Sequence, residues 1–191
     1  MMAGDFIHGA VAAKSVDPDY KRQRDDFYET PVDAVTDLLA ADDVPARVWE
    51  PACGRGAISR VIEASGRAVI STDLVDRGFG LGRVDFLLER ALLAPAIVTN
   101  PPFRLAEDFL RHALSLEPDY LALFVKLSFL AGIERGALYR SAPPARVLIF
   151  SRRLTTWRPD VPREGRNGGM IDFAWLIWRR GWTGGAGMGW L

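Results

Sequence analysis

The sequence predicts a doubly wound α/β domain, a mostly parallel sheet covered by helices on both faces with an antiparallel hairpin at its C-terminal edge. Three observations predict it. Short aliphatic runs alternate with amphipathic stretches along most of the 191 residues. The strand-like runs end in loops marked by Gly or Pro, as at 51–56 and 100–103. The last two strand-like runs have no helix between them, so they can pair antiparallel.

Taken in order, residues 1–24 are polar and irregular and are expected to form a flexible arm. Thr30 is expected to cap a helix over 31–41, with Pro31 in its first turn and Asp33 near its positive end. Residues 46–50 read as a strand, and 57–65 as a helix stopped by Gly66. Strands are expected at 68–73 and 95–99, with another short strand before Asp85, and a helix at 105–116. A strand at 119–125, a helix at 132–139 and strands at 145–150 and 170–179 complete a single domain over 25–180. The 151–169 connection carries five Arg, three Gly and two Pro, and is long for a compact domain. The tail 181–191 holds five Gly and is expected to be mobile.

Composition narrows the function classes. One cysteine, Cys53, and two histidines exclude an internal disulfide and argue against a cysteine or histidine zinc cage, so no metal is expected. No run of about 18 apolar residues occurs, so a cytoplasmic protein without a membrane partner is expected. The net charge is zero, yet it is unevenly spread. Residues 25–99 carry 7 Arg against 13 Asp and Glu, a net of −6, and 146–191 carry 8 Arg against 3 acids, a net of +5. The acidic half suits a cationic ligand and the basic half suits phosphates.

Three segments carry chemistry. Glu50-Pro51-Ala52-Cys53-Gly54-Arg55-Gly56 follows a strand and precedes a helix, where an open α/β sheet binds its ligands. It lacks the third glycine of the dinucleotide fingerprint, and Glu50 would repel a pyrophosphate, so a cation fits better. Asp73, after the next strand, stands where a carboxylate accepts the hydroxyls of a ribose. Asp85 and Phe86 could complete a nucleoside site, the acid accepting an exocyclic amine and the ring stacking on a base.

Asn100-Pro101-Pro102-Phe103 closes the following strand. An exocyclic amine on a base is a poor nucleophile because its lone pair is delocalised into the ring. An Asn oxygen and a proline-restrained carbonyl can accept both of its N–H bonds and localise that lone pair. Phe103 offers a face on which the base can stack.

These motifs resemble those of the class I S-adenosylmethionine-dependent methyltransferases, and within them the small phage or prophage N6-adenine DNA methyltransferases. Glu50 to Gly56 resembles their first motif, and Asn100 to Phe103 their catalytic tetrapeptide. Tyr28 and Thr30, within Phe27-Tyr28-Glu29-Thr30-Pro31, resemble the segment that helps to hold the methionine part of the cofactor. The resemblance covers about residues 25–180 and follows the gamma motif order. It implies a Rossmann-like fold, S-adenosylmethionine as cofactor and adenine in DNA as substrate. It places Tyr28, Thr30, Glu50, Pro51, Ala52, Gly54, Asp73, Leu74, Asp85, Phe86 and Asn100 around the cofactor.

The chain carries no separate target-recognition domain, which leaves the arm, the 151–169 loop and the basic half to meet nucleic acid. Arg152, Arg153, Arg158, Arg163 and Arg166 are the candidate phosphate contacts, and Trp157 a candidate wedge or stacking residue. A 5-methylcytosine enzyme is excluded, since its Pro-Cys nucleophile is missing: Cys53 follows Ala52. An RNA adenine methyltransferase, a protein-glutamine methyltransferase and an inactive cofactor- or DNA-binding relic remain as alternatives.

Overall fold

The computed structural model describes residues 27–154, 156 and 171–191. Seven strands form one sheet: β1 (Arg47–Glu50), β2 (Ala68–Ser71), β3 (Ala96–Thr99), β4 (Tyr120–Lys126), β5 (Arg146–Ile149), β6 (Phe173–Arg179) and β7 (Gly187–Trp190). Their order is β2-β1-β3-β4-β6-β5-β7. The β2-β1-β3-β4 block is parallel, and β6 runs antiparallel to both β4 and β5. Four helices flank it: α1 (Val32–Ala41), α2 (Ala57–Ala64), α3 (Ala106–Ser115) and α4 (Ile133–Ser141).

The central strands are apolar on both faces, as a covered sheet requires. In β4, Tyr120, Ala122 and Phe124 join the core beneath α1 and α2, where Val35, Leu38, Ile58 and Ile62 pack. Leu121, Leu123 and Val125 face the other way, onto Phe109, Leu110 and Ala113 of α3. β6 repeats the alternation, with Phe173, Trp175 and Ile177 on the first face and Ala174, Leu176 and Trp178 on the second. The Trp175 indole N–H donates to the Ala34 carbonyl at 2.9 Å, which pins α1 across the sheet.

The topology sets where a ligand can lie. From β1 the chain leaves through α2 to β2 on one side, then returns to β3 on the other. The connections after β1 and β3 therefore part to opposite faces, and a crevice opens between their carboxyl ends.

Several expectations need correction. Thr30 does not cap α1: the cap position is Pro31, with no side-chain hydrogen bond, because the Thr30 hydroxyl is engaged elsewhere. The short strand expected between β2 and Asp85 does not form. Thr72 and Leu81 form a single parallel bridge, and Asp85 caps a 3-10 turn at Phe86–Leu88. The Gly-rich tail is ordered at its end. β7 pairs parallel with β5, with Leu191 N–H donating to Ile149 O at 2.8 Å. Glycine supplies no side-chain pattern to read, while the open edge of β5 offers the backbone a full set of partners. The 1–24 arm lies outside the described residues.

One buried acid ties three elements together. Asp42, whose side chain is fully buried at the end of α1, accepts from Arg146 of β5 at 2.7 Å and from Arg179 of β6. Asp42→Asn removes the charge from both pairs, and hydrogen bonds to charged groups contribute about 1.5–3 kcal/mol. Urea unfolding should show a loss in that range; a loss below about 0.5 kcal/mol, the scale of an exposed pair, would show the cluster to be incidental.

Candidate active site

A cavity of about 370 Å³ occupies the crevice at the carboxyl ends of β1, β2 and β3. Its wall brings together Tyr28, Thr30, Glu50, Pro51, Ala52, Asp73, Leu74, Asp85, Phe86 and the whole Asn100–Phe103 tetrapeptide. Residues 72 positions apart thus share one wall, which no local pattern could announce. Phe27, Ile58, Arg77, Val84, Arg104 and Phe109 line it as well and were missed by sequence reasoning. They contribute ordinary packing surfaces from separate elements and carry no motif.

The glycine loop is shaped by two rings. Gly54 has φ +57 and Gly56 φ +83, both in the left-handed region. A Cβ on Gly54 would enter the Phe27 ring, and one on Gly56 would meet the Phe79 ring at 2.5 Å. Gly54 therefore lies under Phe27 and not in the cavity wall. Its N–H donates to Asp73 Oδ2 at 2.8 Å.

Asp73 is nearly buried, and its second oxygen accepts from Val75 N–H at 2.8 Å. Each carboxylate oxygen thus holds one backbone donor and keeps lone pairs for a ligand. Asp85 Oδ1 accepts from Leu87 N–H at 3.0 Å. Phe86 is packed into the core, edge-on to Trp49 and His112 and tilted against Phe109. It supplies the cavity with an apolar floor, not a freely projecting ring.

Glu50 is buried at the end of β1 and accepts from the Ser59 N–H at 2.8 Å and from the Ser59 hydroxyl. Burial outweighs these donors and pushes its carboxyl up to about 8, with Asp73 nearby adding to the rise. The Cys53 thiol is pushed up to about 12 by burial and by Glu50 and Asp73, so it stays a neutral thiol. Among the described residues no group of three or more His, Cys, Asp or Glu is placed to hold a metal ion.

The tetrapeptide is organised through its first residue. Asn100 Nδ2 donates to the Tyr28 carbonyl and to Thr30 Oγ1, both at 3.0 Å. Two acceptors on one side of the amide fix its orientation, so Oδ1 is turned away from them. Oδ1 is buried and has no hydrogen-bond partner among the described residues. The Phe103 ring stacks on Tyr28 at 5.3 Å between centroids, and the Lys126 ammonium sits 4.0 Å over it.

The sequence-predicted nucleic-acid contacts are only partly placed. Arg152 pairs with Asp33 and Asp37 of α1, and Arg153 is exposed. Trp157, Arg158, Arg163 and Arg166 lie outside the described residues.

Comparison with solved structures identifies this architecture. A dimethyladenosine transferase from Plasmodium falciparum superposes with a TM-score of 0.57 at 14% identity, over 80% of this chain and 62% of that one. A protein described as a predicted O-methyltransferase from Agrobacterium tumefaciens gives 0.55 at 16%, over 84% and 86% of the two chains. The magnesium protoporphyrin IX methyltransferase of Synechocystis, solved with bound S-adenosylmethionine, gives 0.51 at 18%, over 78% and 77%. The chain has the class I methyltransferase fold. At these identities the likeness is one of fold. No family model and no curated protein sequence matches the chain. In this methyltransferase fold the cavity lies at the sheet's winding reversal, with the acidic residues on the β1–β2 side and the tetrapeptide on the β3 side.

The Glu50 shift makes stability depend on pH. Between about 4.5 and about 8 the folded chain keeps a proton that the unfolded chain has lost. The contribution is therefore fully present below 4.5 and is lost as pH rises toward 8. Glu50→Gln keeps an acceptor for Ser59 and removes the titration. Thermal melting across this range should fall less steeply in the variant than in the native chain; parallel curves would show that Glu50 is not the group responsible.

Proposed function

We propose that the protein transfers a methyl group from S-adenosylmethionine to the N6 amine of adenine in DNA. The observation that carries this reading is the buried Asn100 Oδ1, without a partner among the described residues, held in a cavity wall that also carries the acids Glu29, Glu50, Asp73 and Asp85. An acceptor of this kind, fixed by its own amide's two donations, is built for a ligand N–H.

The residues present fit the cofactor. Asp73 has lone pairs for two ribose hydroxyls, and Asp85 for the adenine amine. Asp73 and Asp85 give the cavity the negative field that a sulfonium and an α-ammonium favour, and Glu50, which holds its proton up to about 8, can release it when a cation binds. The Thr30 hydroxyl accepts from Asn100, and its O–H is a donor suited to the methionine carboxylate. When bound, S-adenosylmethionine supplies a methyl group on a sulfonium that departs as a neutral thioether.

The chain's own work is positioning and polarisation. Asn100 Oδ1 accepts one N–H of the target amine, and the Pro101 carbonyl, held stiff by Pro102, accepts the other. Both bonds strengthen as the nitrogen becomes pyramidal and its lone pair leaves the ring. Phe103 supports the base from its face. A base in a duplex must be flipped out of the stack to reach this depth. Arg146, Arg152, Arg179 and Arg180 pair with acids, which leaves Arg153, Arg158, Arg163 and Arg166 as the candidate phosphate contacts for that step.

Asn100→Ala should lower single-turnover methylation by about 10²–10³ or more, the scale of losing one oriented polar group. Cofactor affinity by calorimetry should be largely kept, since Asp73 and Asp85 remain. Phe103→Tyr should stay active, because the stacking face persists. The measurement is tritium transfer from labelled cofactor to DNA, RNA and protein side by side, followed by nucleoside analysis for N6-methyladenine. An active Asn100→Ala variant, or label on cytosine or on protein, overturns the reading.

A further inference from the structure

Phe103 was expected to offer the target base an open face, and the structure shows its ring already engaged. Tyr28 stacks on the ring with centroids 5.3 Å apart and planes 25° from parallel. Phe173, buried in the core, is tilted against it at 6.1 Å. The Lys126 ammonium stands 4.0 Å from the same centroid. A base that stacks on Phe103 meets Tyr28 or the ammonium there.

The two neighbours differ in how firmly they are held. Tyr28 belongs to the segment that fixes Asn100, its carbonyl accepting from the Asn100 amide at 3.0 Å. Moving it would release the amide on which the chemistry depends. Lys126 is the last residue of β4, with its backbone paired to Phe173 and a flexible four-carbon stem beyond it. It is the neighbour that can yield while the sheet stays in place.

Charge points the same way. During transfer, positive charge passes to the target amine. An ammonium fixed against the stacked base would oppose that charge, whereas one moved to a phosphate would not. A flipped nucleotide carries its phosphates with it, and an ammonium on a flexible four-carbon stem can exchange a ring face for one of them.

We propose that Lys126 is a displaceable positioning residue: its ammonium fills the target-base position over Phe103 in the free protein, and on base entry it transfers to a backbone phosphate of the flipped nucleotide. The inference rests on the reading of the site as a nucleic-acid adenine methyltransferase. It assigns to this lysine a role that neither the tetrapeptide nor the cofactor residues perform.

The test is binding of the full chain, loaded with S-adenosylhomocysteine, to a fluorescein-labelled adenine-containing duplex across a sodium chloride series. Lys126→Met keeps the length of the side chain and removes its charge. It should make the slope of log affinity against log salt shallower by about 0.9, the value of one phosphate contact. Lys126→Arg should restore the native slope. Lys126→Gln serves if the Met variant does not fold, as judged by its thermal melt. A native slope in the uncharged variant, or a shallower slope that Arg does not restore, overturns the inference. The parent reading fails separately, when the native chain transfers no methyl group to adenine in any nucleic acid.

Discussion

The site depends on one amide. Asn100 leaves the end of β3 and donates both its N–H bonds to a segment about 70 residues earlier, Tyr28 through its carbonyl and Thr30 through its hydroxyl. A strand end alone would leave this side chain free to choose rotamers and to turn its oxygen either way. The two donations remove that freedom, and they do so with groups that also line the cofactor cavity. Tyr28 then continues onto Phe103, and Phe27 covers Gly54. Four consecutive residues thus join the glycine loop, the polar acceptor and the stacking ring into one unit. Preorganisation of this kind lets a single oxygen act strongly, because little reorganisation is left for the moment of reaction.

Electrostatics divides the cavity. Glu50 and Asp73 lie side by side on the β1–β2 side, and their mutual repulsion adds to the effect of burial on Glu50. A cation bound beside this pair would favour release of the Glu50 proton. The opposite side holds the Asn100 acceptor and aromatic rings, with Arg104 also in the wall and the Lys126 ammonium over the Phe103 ring. Cys53 lies between Glu50 and Gly54, and burial first, then Glu50 and Asp73, keeps its thiol neutral.

The sequence made the sheet legible where strands are buried on both faces. The expected strands at 119–125 and 170–179 stood out because most of their residues are apolar, and they overlap β4 and β6. Residues 50–53, 73 and 100–103, which the motifs singled out after successive strands, meet at one crevice. What stayed hidden depends on contacts distant in sequence. Thr30 looked like a helix cap because its local context is a helix start, and the partner that recruits it lies 70 residues away. Lys126 falls just past the expected 119–125 strand, and nothing local marks a lysine that rests on a ring. The strand at 187–190 was masked by glycine, whose pairing comes from backbone alone.

The closing of the sheet by β7 bears on how such a protein can change its target. The Ser151 N–H and hydroxyl both donate to the Leu191 carbonyl, which ties down the start of the 151–169 connection. At its far end, the Asp172 carbonyl accepts from Leu127 N–H, next to Lys126. The connection is rooted at both ends in the sheet and its margin, so its composition is uncoupled from strand register. Lengthening a loop between fixed roots costs little, about 0.6 kcal/mol for each doubling. Residues between these roots can therefore change in number and kind while the strand pairing, the Asn100 amide and the cavity acids stay as they are.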